Sequence, residues 1–340
     1  MSEQVLDKIS KQAQEYYKNT PVIILGSGAS AAFGMSGMWM LAQHLIKNIK
    51  VDDLSESEQS SWSIFCQLLN DGVDLETALH DVHLSPVLTN RVVSSTWELL
   101  APEDVKVFNR SFNEPTLFPL GKLLKHMFRS TAKELNIITP NYDRLAEYAC
   151  EQEGIHHYDG FSHGYKGHLV KKNHLSCLRQ VNIWKVHGSL GWFTNNNKVI
   201  MSLGIMDSIP SGLNPLIVTP GIEKYRSTHK EPYKTIIHES DDVMDKATSY
   251  LCVGFGFNDD HIQTKLVNRC ANDDAAVIII THKLTDAAKE FILNRNAERY
   301  LAIESSSNDG KSIIYSSLIK EAIEVDGDYW SLNGFLNFIM

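Results

Sequence analysis

Cysteine is scarce in this chain and never paired. The five residues, Cys66, Cys150, Cys177, Cys252 and Cys270, are odd in number, and the nearest two stand 18 positions apart. No C-x-x-C pair exists, which excludes a disulfide framework and a four-cysteine zinc site and fits a reducing compartment. Also missing is any apolar run near the ~18 residues that a bilayer span requires. The first residues, MSEQVLDKISKQAQEYY, are polar and lack the apolar stretch of a signal peptide. Basic side chains are in deficit, 32 against 41 acidic, for a formal net charge of -9. That balance argues against a surface that holds nucleic acid throughout, although a local basic patch stays open. What is present is ordinary globular chemistry, 43% hydrophobic and 21% charged over 340 residues. By length alone this suggests about two domains, and the composition is not that of a disordered chain. The expectation is a soluble, cytoplasmic α/β enzyme without a membrane partner.

Short apolar runs followed by turn signals mark the strands: 21–25 (PVIIL), 136–139, 182–186, 216–219, 250–253 and 276–281, with 301–304 as a seventh. Their apolar residues are consecutive rather than alternating, which suits strands covered on both faces of a parallel sheet. Helical segments such as 143–153 and 260–270 lie between them. The fold class expected is therefore α/β, a Rossmann-like, doubly wound, mainly parallel sheet. Residues 54–133 carry 3.6-residue periodicity and no strand, and read as an inserted helical module. The domain reading is 1–53 with 134–307 for the sheet, 54–133 for the module, and 308–340 for a C-terminal extension available for assembly.

In open α/β sheets, ligands bind beyond the carboxyl ends of the strands. Those ends carry Gly26-Ser27-Gly28-Ala29-Ser30-Ala31, Pro140-Asn141-Tyr142-Asp143, His187-Gly188-Ser189, Pro220-Gly221 and Gly254-Phe255-Gly256-Phe257-Asn258-Asp259. The first matches the dinucleotide fingerprint G-x-G-x-x-A, whose glycines admit a pyrophosphate and whose free amides donate to it. A plain tight turn is the alternative. The acidic residue that a nicotinamide dehydrogenase needs at the tip of a second strand is missing, because Asp52 and Asp53 follow a helix-like stretch. Gly254 and Phe255 read as a place where a ribose or adenine edge approaches the backbone.

GSGAS, TPNYD, KVHGSL and GFGFND, in this order on successive strand ends, resemble the sirtuin superfamily. The nearer likeness is to its bacterial sirtuin-like branch of antiphage NAD-degrading effectors. The resemblance runs from about Pro21 to Asp260. It implies NAD+ as substrate, with Gly26, Ser27, Gly28, Ala29 and Ser30 around it. It assigns Asn141 to orienting the ribose or attacking water, His187 to general base, and Asp143 to the nicotinamide carboxamide. An unrestrained NAD hydrolase would harm its own cell, so control by assembly is expected, through a homo-oligomer, a second protein or both; in the resembling defence systems a HerA-like ATPase is one such partner. Protein-deacylating sirtuins carry a zinc module of two cysteine pairs, which this chain lacks, and Gln where Pro140 stands. Both departures tilt the expectation to an NAD+ glycohydrolase with no zinc.

Other readings stay beside these. Asn141 could cap a helix, Asp143 could serve the first helical turn, His187 could sit in a turn, and Asn258 and Asp259 could cap the helix that follows. Histidines at 156, 157, 163, 168 and 174, with Cys177, fit no ordinary zinc spacing and read as a mobile, locally basic loop over the site. Aromatic and aliphatic residues at 330, 332, 335, 338 and 339 read either as core or as a docking face. An NAD-dependent deacylase or ADP-ribosyltransferase, and a non-catalytic NAD or ADP-ribose sensor, are the competing functions.

Overall fold

A computed structural model describes residues 2–164, 166–172, 179–219, 230–294 and 297–340. Helix α1 (Ser2–Lys18) leads into β1 (Val22–Leu25), the short α2 (Ser27–Ala31) and α3 (Met38–Asn48). Then come α4 (Glu56–Asn70), α5 (Leu75–Asp81), α6 (Pro86–Ser111) and α7 (Pro119–Met127). The chain continues through β2 (Glu134–Thr139), α8 (Leu145–Gln152), β3 (His157–Tyr158), β4 (Lys166–Gly167) and β5 (Gln180–Lys185). Next are β6 (Gly188–Asn195), β7 (Ile200–Leu203), β8 (Leu213–Ile217), α9 (Tyr233–Lys246) and β9 (Ser249–Val253). It closes with α10 (Asp260–Asn272), β10 (Ala276–Thr281), α11 (Asp286–Asn294), β11 (Tyr300–Ser305), β12 (Lys311–Ser316), β13 (Ile323–Asp326) and α12 (Leu332–Ile339).

The main sheet has nine strands in the order β13-β12-β11-β10-β9-β1-β2-β5-β3. Pairing is parallel from β3 to β11 and antiparallel at β12 and β13. Every residue of β1, β5 and β9 is buried, because helices cover both faces. Successive side chains alternate between those faces. Ile23, Ile137 and Leu251 join the core under α1, α7 and α12, while Ile24, Ile138 and Cys252 join the core under α9, α10 and α11. The chain leaves β1 for β2 and β5 on one side and returns to β9 on the other, so the strand order reverses at β1. The crevice beyond β1 and β9 is therefore the switch point where open α/β sheets take their ligands.

Residues 54–133 are helical wherever they are regular, and packing divides them. Leu41 of α3, Trp62 and Phe65 of α4, Leu75 of α5, and Leu88 and Val92 of α6 form a cluster of their own. Trp97, Leu100 and Val107, further along α6, belong to the main core together with α7. Local chemistry starts these helices where it does. Ser55 and Glu58 make a reciprocal capping box on α4, while Asp74 and Ser85 cap α5 and α6. The polar run from Asp52 to Ser61 thus starts as a turn and continues from Glu56 into α4.

Two sequence expectations need correction. The strand expected at 216–219 is the end of β8, which pairs antiparallel with β6 in a separate four-stranded sheet, β4-β7-β6-β8. An apolar run signals strand but not its partner. The histidine-bearing stretch expected as a mobile loop supplies β3 to the main sheet and β4 to the small one. His163 Nε2 lies 2.8 Å from the carbonyl of His157, and Lys172 pairs with Glu134. Tyr165, His174 and Cys177 lie outside the described residues, as do Pro220 and Gly221.

Candidate functional site

The loop after β1 is built by backbone-to-backbone contact with the loop after β9. A Cβ added at Gly26 would lie 2.3 Å from the Gly254 carbonyl oxygen, and one at Gly254, whose φ is +58°, would lie 2.3 Å from the Ala29 nitrogen. The Gly26, Gly28 and Ala29 amides donate to the carbonyls of Val253, Gly254 and Gly26 at 3.0 Å. These amides are therefore committed to the protein, which corrects the expectation that they stand free for a pyrophosphate. The glycines are needed here because two loops touch.

A cleft opens at this switch point. Gly26, Ser27, Ser30, Asn141, Asp143, His187 and Phe255 all line it. Gly28, Ala29 and Gly254 do not; they lie behind it as packing. Ser36, Met38 and Leu41 from the segment after α2, Glu76 from α5 and Leu100 from α6 close the opposite wall. Glu103 of α6 fixes that wall by accepting from the Ser36 amide at 2.8 Å and its hydroxyl at 2.6 Å. Asp52 and Asp53 do not line the cleft, and Asp53 pairs with Arg91 at 2.6 Å.

Asn141 follows β2 and is held from three directions. Its amide donates to Thr139 Oγ1 at 3.0 Å, and its Nδ2 donates to the Gly26 carbonyl and to Ser30 Oγ, each at 2.9 Å. Both side-chain N–H groups are thereby used, and Oδ1 is the atom left to act as an acceptor. Ser30 passes the bond on, donating to Asp143 Oδ2 at 2.7 Å. Asp143 Oδ1 accepts the Leu145 amide at 3.2 Å. Burial raises the Asp143 carboxyl above the usual carboxylate range, against the opposing pull of Lys185 and the Ser30 hydroxyl.

His187 sits at the corner between β5 and β6. Gly188 makes that corner, with φ at +92° and space for no Cβ, which would meet the Leu216 carbonyl oxygen at 2.1 Å. The His187 carbonyl accepts the Val218 amide at 2.9 Å. Its ring Nε2 lies 2.5 Å from Asp259 Oδ2.

Charged groups that sequence reasoning missed stand directly behind the cleft. Lys185, only 1% exposed, donates to the Asp143 carbonyl and pairs with Glu147 at 3.2 Å. Burial pushes the Glu147 carboxyl up to about 7, with Lys185 opposing. Asp104 of α6, fully buried, accepts from Arg144 Nη2 at 2.7 Å and from the Tyr148 hydroxyl at 2.5 Å. A lysine within the otherwise apolar run NIWKV was the available signal for Lys185. Asp104 gave none, since one acid on a long helix reads as surface.

Residues 135–302 match the family model described as a SIR2-like domain. The match supports a place in the sirtuin superfamily. It spans Asn141, Asp143, His187, Gly254 and Phe255 and leaves the loop after β1 and the helices before β2 outside. No curated protein matches the chain. Among solved structures, a Sir2 homologue in complex with NAD is 14% identical, with 83% of this chain and 84% of that chain covered and a TM-score of 0.41. Sir2Tm bound to a propionylated peptide is 12% identical, covering 83% and 88%, with a TM-score of 0.43. At these scores the likenesses carry no argument. Among the described residues, no helix is long and apolar enough to cross a membrane.

Proposed function

We propose that the chain is an NAD+ glycohydrolase that cleaves the bond between nicotinamide and ribose. One observation carries this reading: Asn141 and Asp143 from the end of β2 and His187 from the end of β5 line one cleft at the switch point of the sheet. The SIR2-like match over the same residues supports NAD-dependent chemistry.

The reaction consumes NAD+ and water and yields nicotinamide, ADP-ribose and a proton. The bond from C1′ to the pyridinium nitrogen breaks, and its electron pair stays on the ring, which leaves neutral. Water adds to C1′ and gives up a proton. Asn141 Oδ1 orients that water or a ribose hydroxyl, because its Nδ2 is already committed. His187 receives that proton as general base. Asp143 accepts from the nicotinamide carboxamide through lone pairs that Ser30 and Leu145 leave unused. Met38, Leu41 and Leu100 give one side of the cleft an apolar lining. The reading requires no zinc.

The resemblance in motifs also motivates a proposed role as an antiphage effector, a homo-oligomer restrained until a partner such as a HerA-like ATPase engages it.

The test is product analysis by mass after incubation with NAD+, alone and with candidate partners. Asn141→Ala and His187→Ala should each cut nicotinamide release by ~10²-fold or more, with melting temperatures close to that of the unaltered protein. Full turnover by both variants would sink the assignment. Product that appears only with an acylated or acceptor protein would replace hydrolysis by transfer.

A further inference from the structure

Asp259 uses its two carboxylate oxygens for different contacts. Its Oδ1 accepts the Ile262 amide at 3.0 Å and so caps α10. Its Oδ2 lies 2.5 Å from His187 Nε2. The two side chains are 8% and 15% exposed, so little water competes for either. An imidazole nitrogen that close to a carboxylate oxygen carries the proton, because two lone pairs facing each other repel. Neutral His187 is then the Nε2–H tautomer, with its lone pair on Nδ1.

We propose that Asp259 is a positioning residue that sets the tautomer and ring angle of His187, so that Nδ1 is the nitrogen that takes the proton. The proposal rests on the NAD-cleaving reading above. The backbone supports it from both sides. The carbonyl of His187 is fastened by Val218, and the Gly188 corner directs the chain into β6. Asp259 is fastened by the helix it caps. The ring is thus held between a sheet corner and a helix start, and a cap alone would need no second contact.

Asp259→Asn separates the two jobs. Asn caps a helix as well as Asp does, so Oδ1 still receives the Ile262 amide. The atom facing His187 becomes an amide nitrogen, which donates, so Nε2 must accept and the proton moves to Nδ1. The hydrogen bond survives with its direction reversed, and the base is lost. In serine proteases the same exchange at the orienting carboxylate leaves the geometry intact and costs about 10⁴-fold in kcat.

The experiment uses the full-length chain labelled with ¹⁵N-histidine at a pH where His187 is neutral, with His187→Gln to assign its signals. Ring-nitrogen shifts are read for the unaltered protein and for Asp259→Asn, alongside steady-state nicotinamide release. Expected are Nε2–H in the unaltered protein, Nδ1–H in the variant, and a kcat lower by ~10²-fold or more with KM for NAD+ little changed. An Nδ1–H tautomer in the unaltered protein overturns the proposal, and so does a variant with undiminished kcat. If the unaltered protein releases no nicotinamide with any partner, the functional reading fails, and the nitrogen shifts still decide what Asp259 does to His187.

Discussion

Asn141, Ser30 and Asp143 form one hydrogen-bonded row, and its direction determines what each can offer a substrate. Asn141 commits both side-chain N–H groups as donors, so its oxygen is left to accept; Ser30 donates to Asp143, which favours the charged carboxylate against the burial that raises it. Behind the row, the Lys185–Glu147 pair makes a testable statement about pH. The Glu147 carboxyl titrates near 7 in the fold, above its ordinary value of 4.5, because burial outweighs Lys185. The folded state therefore holds a proton that the unfolded chain releases between about pH 4.5 and 7, and this group makes stability fall as pH rises through that window. Glu147→Gln cannot titrate, so its denaturation midpoint should decline less from pH 5 to pH 8 than that of the unaltered protein. Parallel midpoint curves across that range would show that Glu147 contributes no such slope.

The contact between the β1 and β9 loops sets the position of everything at the switch point. Gly26, Gly28 and Gly254 meet with no room for a methyl group. Gly254→Ala adds a clash with Ala29 to a left-handed φ, and a cost of about 3 kcal/mol is expected from overpacking and backbone strain together. Gly204→Ala is the control, since a Cβ there meets nothing within 4 Å; its stability should match the unaltered protein within about 0.5 kcal/mol. Chemical denaturation of both variants checks the pair, and equal stabilities would contradict the packing role. The G-x-G pattern was visible as a pattern. That it serves a neighbouring loop was not, because the partner lies more than 220 positions away and only strand order brings it near.

Across the molecule, helices before β2 and the terminal α12 together cover one face of the main sheet and share its core. We keep residues 54–133 as a module and 308–340 as an extension only as a proposed division, since packing crosses both boundaries. The terminal aromatics show this. Phe335 and Ile339 are buried in the main core beside α1 and α7, and Ser10 and Gln14 of α1 donate to the carbonyls of Phe338 and Ile339. A variant ending at Asp326 removes α12 and three buried apolar side chains, Phe335, Leu336 and Ile339. Each contributes about 1.5–3 kcal/mol on burial, so the truncated chain should melt well below the full one or fail to fold. An unchanged melting temperature would return α12 to the role of a docking element.

Strand-forming runs, their buried character and the order of the motifs on their ends were legible in the residues, because these follow from local composition and periodicity. The α/β class and the grouping of Asn141, Asp143 and His187 come from that level. Long-range pairing is different in kind. Whether the run at 216–219 joins the main sheet or a small antiparallel one depends on its partner strand, here β6, and not on its own composition. The ion pairs Lys185–Glu147 and Arg144–Asp104, the Glu76 and Leu100 wall, and the contact of Asp259 with His187 all join residues distant in the chain. Such contacts are set by burial and geometry after the helices have packed, and no local pattern encodes them.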